Sequence, residues 1–181
     1  MKLKKIIFSF VICYLMCISS MTFAESMYPL TLDNGNLVIV DAGMGTGIYA
    51  DRSSVSVIKY EPPNYELSID VIGVSFSEDY FKIHKDYKYS PYKIGYKNNV
   101  HVRYNWNRKS VSRLRNGVWV DYVINRDNCH ADGNPFVPNV AEVAFVSAYN
   151  MRFFDNMLRY SPTLHEYYRV IDEDFYRVLG I

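Results

Sequence analysis

A strict alternation of apolar and polar residues at 100–107 places the strongest constraint on the fold. The apolar members, each followed by one polar residue, are Val100, Val102, Tyr104 and Trp106. This period of two is typical of a strand with one buried face. Residues 109–115 pair back across a short turn, and Asn116-Gly117 forms the two-residue turn that leads into a strand at 118–124. The sequence therefore predicts three consecutive antiparallel strands.

Three further strands are predicted upstream, at 37–40, 55–60 and 65–76. In the last of these the apolar residues shift phase beside Gly73, which favours a β-bulge or bend. The stretch 77–92 is aromatic and charged without a clear period, so we expect a loop that carries a helical turn.

From Pro138 the apolar period changes to 3.6, which predicts a helix packed on the sheet. Its apolar arc contains Val140, Val143, Val146, Met151, Phe153, Phe154, Met157 and Leu158, and the residues that lie mostly opposite are Glu142, Arg152, Asp155, Asn156 and Arg159. Pro162 ends this helix, and 163–179 reads as a second one. Strands first and helices last predict an α+β fold, an antiparallel β-meander packed against one or two C-terminal helices.

The first 24 residues have the pattern of a bacterial export signal. Three lysines precede a short apolar run at 6–18, and Thr22-Phe23-Ala24 offers small residues for cleavage after Ala24. The run is shorter than the roughly 20 residues that span a bilayer, so no stable membrane span is expected after cleavage. We therefore expect a signal peptide at 1–24 and a single domain at 25–181, periplasmic or extracellular.

Removal of the leader changes the charge and the cysteine count. The leader holds 3 of the 20 basic residues and none of the 19 acidic ones, which leaves a net charge of 17 − 19, or −2. A nearly neutral domain has no overall electrostatic attraction for nucleic acid or anionic lipid. Cys129 remains as a single cysteine, so no internal disulfide is expected.

The segment RDNCHADGNPFVP at 126–138 combines that cysteine with polar neighbours. Turn chemistry at Asp132-Gly133-Asn134-Pro135 favours a turn before a helix, with a buried thiol. One alternative is a thiol nucleophile that uses His101 as its base, because His130 is adjacent in sequence and should point away. Another is a disulfide that joins Cys129 of two copies in a homodimer. The spacing matches no metal site, so no metal is predicted.

The glycine run at 43–47 suggests phosphate binding, but its GxGxG spacing lacks a Lys-Ser/Thr and precedes a strand. A hairpin is the better interpretation. The sequence contains no paired carboxylates, serine-elbow motif or cofactor motif, and we expect no cofactor.

The remaining candidates are polar or aromatic residues in unusual positions. Ser147 and Asn150 fall within the apolar arc, so a buried, hydrogen-bonded Asn150 is expected, with a ligand-facing role for Asn150 and Arg152 as the alternative. Five of the 17 tyrosines lie at 77–97, and tyrosine suits contact surfaces. We expect Tyr87, Tyr89 and Tyr92 to form a binding surface.

Three stretches carry a resemblance to known proteins. YADRSSV (49–55), YEPPNYEL (60–67) and AEVAFVSAYNMRFF (141–154) resemble segments of exported bacterial proteins of unknown function. Tyr-Ala-Asp-Arg-Ser-Ser also resembles the opening of small surface-adhesin domains similar to protein E. Neither resemblance implies an activity or a functional residue.

Together these features predict a non-catalytic, exported cell-envelope domain that binds an unidentified envelope or surface partner. A thiol-dependent enzyme that uses Cys129 with His101 is the alternative.

Overall fold

The computed structural model describes residues 26–122, 136–162 and 165–181. Nine strands and three α-helices lie within these ranges. The strands are β1 (Thr31–Leu32), β2 (Leu37–Gly43), β3 (Thr46–Glu61), β4 (Asn64–Phe76), β5 (Tyr92–Asn105), β6 (Ser110–Arg115), β7 (Val118–Tyr122), β8 (Leu158–Ser161) and β9 (Glu166–Arg169). The helices are α1 (Glu78–His84), α2 (Phe136–Tyr149) and α3 (Glu173–Leu179).

Strands β1 to β7 form one antiparallel sheet in which every strand pairs with its neighbours in sequence. Strands β8 and β9 form a separate hairpin. The predicted α+β fold with an antiparallel meander is confirmed, and α1 supplies the helical turn expected at 77–92.

Two hairpins of the sheet use the same two-residue turn. Met44-Gly45 joins β2 to β3 with φ values of 51° and 75°, and Asn116-Gly117 joins β6 to β7 with φ values of 52° and 78°. Two positive φ angles give the turn whose twist matches that of paired strands. The glycine run is thus a hairpin, as predicted, and β3 begins at Thr46, directly after the turn, rather than at 55.

The β-bulge predicted beside Gly73 is present, but the extra residue belongs to β5 and not to β4. β4 pairs with β3 without a break from Asp70 to Ser75, whereas the irregularity in its pairing with β5 adds one residue, Gly95, to β5. The buried apolar residues of β4 up to Val71 face the main core. From Ile72 onward, the buried residues of this strand face the opposite side of the sheet. The phase shift therefore marks the point where the covered face of the sheet changes.

The main core lies between the sheet, α2 and the C-terminal segment. Residues 140–146 of α2 are all buried. A helix packed only on a sheet would keep one face exposed, so α2 must be covered on its other side as well. Phe153, Phe154 and Tyr176 belong to the same cluster and contribute to the cover of α2.

The C-terminal helices are shorter than the sequence predicts. α2 ends at Tyr149, because Asn150 adopts a left-handed conformation (φ 52°) and the chain turns there. Phe153 and Phe154 reach the core from a turn, not from a helix. The predicted second helix at 163–179 is also wrong over most of its length: only α3 is helical, and β9 occupies 166–169.

Candidate functional site

The strongest candidate for a binding site is an aromatic pocket at the end of the sheet where α1 lies. Tyr87 stacks on Tyr28 with 4.9 Å between ring centroids and on Phe81 with 4.7 Å, and its ring lies 5.4 Å from Phe76. The backbone N–H of Tyr87 donates to the carbonyl of Met27 at 2.7 Å. Strand β4, helix α1 and the segment before β1 are therefore fastened together around one ring.

Hydrogen bonds attach the β2–β3 turn to this cluster. The backbone N–H of Gly45 donates to the hydroxyl of Tyr28 at 3.0 Å, and the hydroxyl of Tyr49 donates to the carbonyl of Pro29 at 2.9 Å. Burial raises the pKa of the Tyr49 hydroxyl above its ordinary value, so this group is a neutral donor. We call these rings and the turn beside them the aromatic pocket.

The aromatic pocket opens to solvent with a volume of about 540 Å³. Its lining residues are Met27, Tyr28, Met44, Gly45, Thr46, Ser75, Phe76, Glu78, Phe81, Lys82 and Tyr87. The walls are mainly apolar or aromatic, and Glu78 and Lys82 contribute charges. Its volume lies within the range of known ligand-binding clefts, and it is a shallow cleft open to solvent rather than an enclosed cavity.

Met44 is the least expected residue in the pocket wall. Its side chain is fully exposed, and its backbone is left-handed. Asn116 occupies the equivalent position of the other two-residue turn, where asparagine, aspartate or glycine is favoured. Met44 thus exposes apolar surface from a position that disfavours methionine, and folding alone gives no reason for either property.

The three predicted binding tyrosines do not share one surface. Tyr87 is buried (5% exposed) and forms the floor of the aromatic pocket, so its side chain is a core group. Tyr89 is 86% exposed and Tyr92 is 42% exposed. The Tyr92 ring lies 6.2 Å from that of Phe76, which places it beside the pocket.

Asn150 and Arg152 have structural contacts. Asn150 is exposed rather than buried, and it ends α2 with its backbone N–H bonded to the carbonyl of Val146 at 2.8 Å. Arg152 donates to both carboxylate oxygens of Glu173 and to the carbonyl of Ile181, and its guanidinium lies 4.2 Å from the Tyr176 ring centroid. Arg152 therefore fastens α3 and the end of the chain. The partly buried Ser147 accepts a hydrogen bond from Arg52 at 3.4 Å.

Glu142 is a buried acidic residue, although the helical period predicts that it lies on the polar side of the helix. It is fully buried, and its two oxygens accept the backbone N–H groups of Phe153 at 2.8 Å and Phe154 at 3.1 Å. Lys109 donates to the carbonyl of Phe153 at 2.7 Å. Burial raises the pKa of Glu142 to about 7 despite these donors. The only sequence signal was its position between apolar residues at 140–146.

The thiol-enzyme alternative pairs Cys129 with His101. His101 is half-buried on β5, paired with Ser68 of β4. Cys129 lies outside the described residues, as does the rest of the predicted turn before Phe136, so the Cys129 pairing with His101 or with a second copy stays a prediction.

A second surface pocket, about 380 Å³, lies on a polar face of the sheet. Cross-strand pairs line this pocket: Arg103 donates to Glu66 at 2.8 Å, and Ser112 donates to Asp121 at 2.6 Å. These groups satisfy each other, as expected of a solvated sheet face.

Within the described ranges, no three histidine, cysteine or acidic side chains are grouped as metal ligands, and no helix is long and apolar enough to cross a bilayer. No protein-family model, curated protein or solved structure matches this chain.

Proposed function

We propose that this chain is an exported, non-catalytic binding domain of the cell envelope, and that it receives an apolar group of its partner in the aromatic pocket. The observation that carries the proposal is Met44: an exposed apolar side chain, in a left-handed turn, on the wall of a pocket floored by aromatic rings. A residue that breaks local folding preferences without a structural gain is best explained by function.

The composition of the pocket supports a binding role. Aromatic rings and methionine give large contact area and adaptable shape. Glu78 and Lys82, the latter paired with Asp79 at 2.8 Å, place charges at the rim. By contrast, the buried carboxylate of Glu142 already accepts two backbone hydrogen bonds. Its oxygens serve the fold, so the proposal assigns them no reaction.

A titration with 8-anilinonaphthalene-1-sulfonate tests the pocket. This probe combines aromatic rings with an anionic group that suits Lys82, and its fluorescence rises in an apolar site. In NMR spectra, we expect the probe to change the amide chemical shifts of residues 27–28, 44–46 and 78–87. The Met44→Asn variant should bind the probe more weakly, because the substitution removes apolar area but keeps the turn. Val118→Thr, an exposed apolar change at the opposite hairpin, is the matched control. Equal affinity in wild type and Met44→Asn, with near-ultraviolet circular dichroism unchanged, would contradict the proposal.

Export is tested separately. Expression of the full chain in a bacterial host, followed by cell fractionation and sequencing of the mature N-terminus, should give an envelope or secreted product that begins at Glu25. A cytoplasmic product that retains Met1 would refute this part of the proposal.

A further inference from the structure

In the part of the chain that the structure describes, strand β5 has a long backbone edge without a neighbouring strand. It pairs with β4 along its whole length, from Tyr92 to Asn105, but with β6 only from Val102 to Asn105. Within the described chain, residues 92–101 are thus paired on one side alone. In an antiparallel strand every second residue directs its N–H and C=O away from the paired neighbour, so roughly five residues present both groups outward. We call this stretch the free edge of β5.

The segment that leads into the free edge carries a local excess of positive charge. Residues 80–97 contain five lysines and one aspartate, a formal charge of 5 − 1, or +4, in a chain whose total is +1. Lys93 is exposed near the start of the edge, and the Lys97 ammonium bonds Asp70 at 2.8 Å. The nearly neutral total therefore conceals a local concentration of positive charge.

Apolar side chains project from both faces of the strand at this edge. Tyr92 lies on the face of Phe76, and Ile94 pairs with Val74 on that same face. The Tyr96 ring covers Gly73 on the other face, so closely that a Cβ at Gly73 would lie 2.1 Å from the ring. Residues 73 and 76 point to opposite sides of the sheet. A flat membrane surface would contact one side only, whereas an added strand contacts the edge and reaches both.

We propose that the free edge of β5 binds an extended acidic segment of a partner protein as an added β-strand. Strand addition uses the outward backbone groups for affinity and alternate side chains for specificity. Acidic residues of the added strand would lie near Lys93, and its apolar residues near Tyr92, Ile94 and Tyr96. This inference deepens the proposed binding function and rests on it, since the edge begins beside the aromatic pocket.

A second copy of this chain is a poor occupant for the same edge. An antiparallel pairing of β5 with itself, centred on Gly95, sets Lys93 of one copy opposite Lys97 of the other. Lysines on an edge discourage such self-pairing, because like charges directly opposite are destabilising. The same lysines attract an acidic strand, so the charge on this edge favours a partner strand with negative charge.

The test is a selection of random linear decapeptides against the mature chain, with the best peptide then synthesised as the probe. We expect selected peptides to alternate acidic and apolar residues. Amide hydrogen exchange should slow at alternate residues of 92–101, because only the outward N–H groups gain bonds. Protection in that pattern distinguishes an added strand from a ligand that covers side chains.

Lys93→Glu should weaken binding of the synthetic peptide on the order of tenfold at low salt, with a smaller effect at high salt. Arg115→Glu, the same charge change at the distant β6–β7 turn, is the matched control and should leave binding unchanged. Selected peptides without acidic residues, or protection elsewhere, would overturn the proposal. So would concentration-dependent dimers, or anionic phospholipid vesicles, that protect the same amides in place of the peptide. If the naphthalene probe still binds at Met44 while the peptide gives no protection at 92–101, the binding function stands and strand addition fails.

Discussion

The buried carboxylate of Glu142 should make stability fall as pH rises through the acidic range. Three ionisable groups face it: Lys109 from the β5–β6 turn, Tyr104 from β5 and Tyr176 from α3. Burial dominates and raises its pKa from 4.5 to about 7, so the folded state holds a proton that the unfolded chain releases earlier.

The size and sign of the effect follow from that pKa. The stabilisation is fully present below about pH 4.5 and is lost as pH rises to about 7. Each pH unit across this window is worth about 1.4 kcal/mol, which amounts to about 3 kcal/mol for Glu142. This is a large fraction of the stability of an ordinary domain.

Urea unfolding of wild type and Glu142→Gln between pH 4.5 and 7.5 measures the pH-dependent contribution of Glu142 to the free energy of unfolding. The glutamine cannot ionise, so the free energy of unfolding of wild type minus that of the variant should fall by about 3 kcal/mol across the window. Glu78→Gln, at an exposed site, should follow wild type. Parallel curves for wild type and Glu142→Gln, or a difference that grows with pH, would refute the reasoning. They would mean that the two N–H donors and Lys109 stabilise the anion more than burial destabilises it.

Three further substitutions have defined outcomes. Met44→Asn should raise the free energy of unfolding by about 0.5–1 kcal/mol, measured by urea denaturation, because asparagine suits the left-handed turn; a loss of stability would contradict this reading of the turn. Gly47→Ala should lower it by about 1–3 kcal/mol, since a Cβ there would lie 2.6 Å from the Tyr49 ring; no change in thermal midpoint would contradict the contact. Tyr87→Ser should lose about 3–5 kcal/mol, whereas Tyr89→Ser should change stability by less than about 0.5 kcal/mol; similar losses for both would show that Tyr87 is not a core group.

The sheet could be predicted from local pattern because each of its connections is short. Alternation at 100–107 and the Asn-Gly turn specify neighbouring strands directly, and a meander needs no long-range choice of partner. Strand ends were less predictable: β3 runs from Thr46 to Glu61 as one strand, although its glycine-rich start lacks any strand pattern.

The C-terminal region was predicted less well because its periodicity was ambiguous. Phe153 and Phe154 continue the helical period, yet they face the core from a turn whose N–H groups bind Glu142. Such a turn depends on a carboxylate 11 and 12 residues earlier in the chain, which single-residue propensities do not encode. Likewise, Tyr87 lies in a tyrosine-rich segment, which is why the sequence suggested a contact residue. Only its stacking on Tyr28 and Phe81 shows that it belongs to the core.

The change of covered face along β4 separates two hydrophobic clusters of unequal size. The smaller cluster, around α1, contains six buried side chains, whereas the cluster around α2 contains far more. Local opening costs less where fewer apolar contacts must be broken, so we expect the α1 end to open and reclose while the α2 side remains folded. Under the proposed function, the aromatic pocket could then change shape on binding while the rest of the domain stays folded.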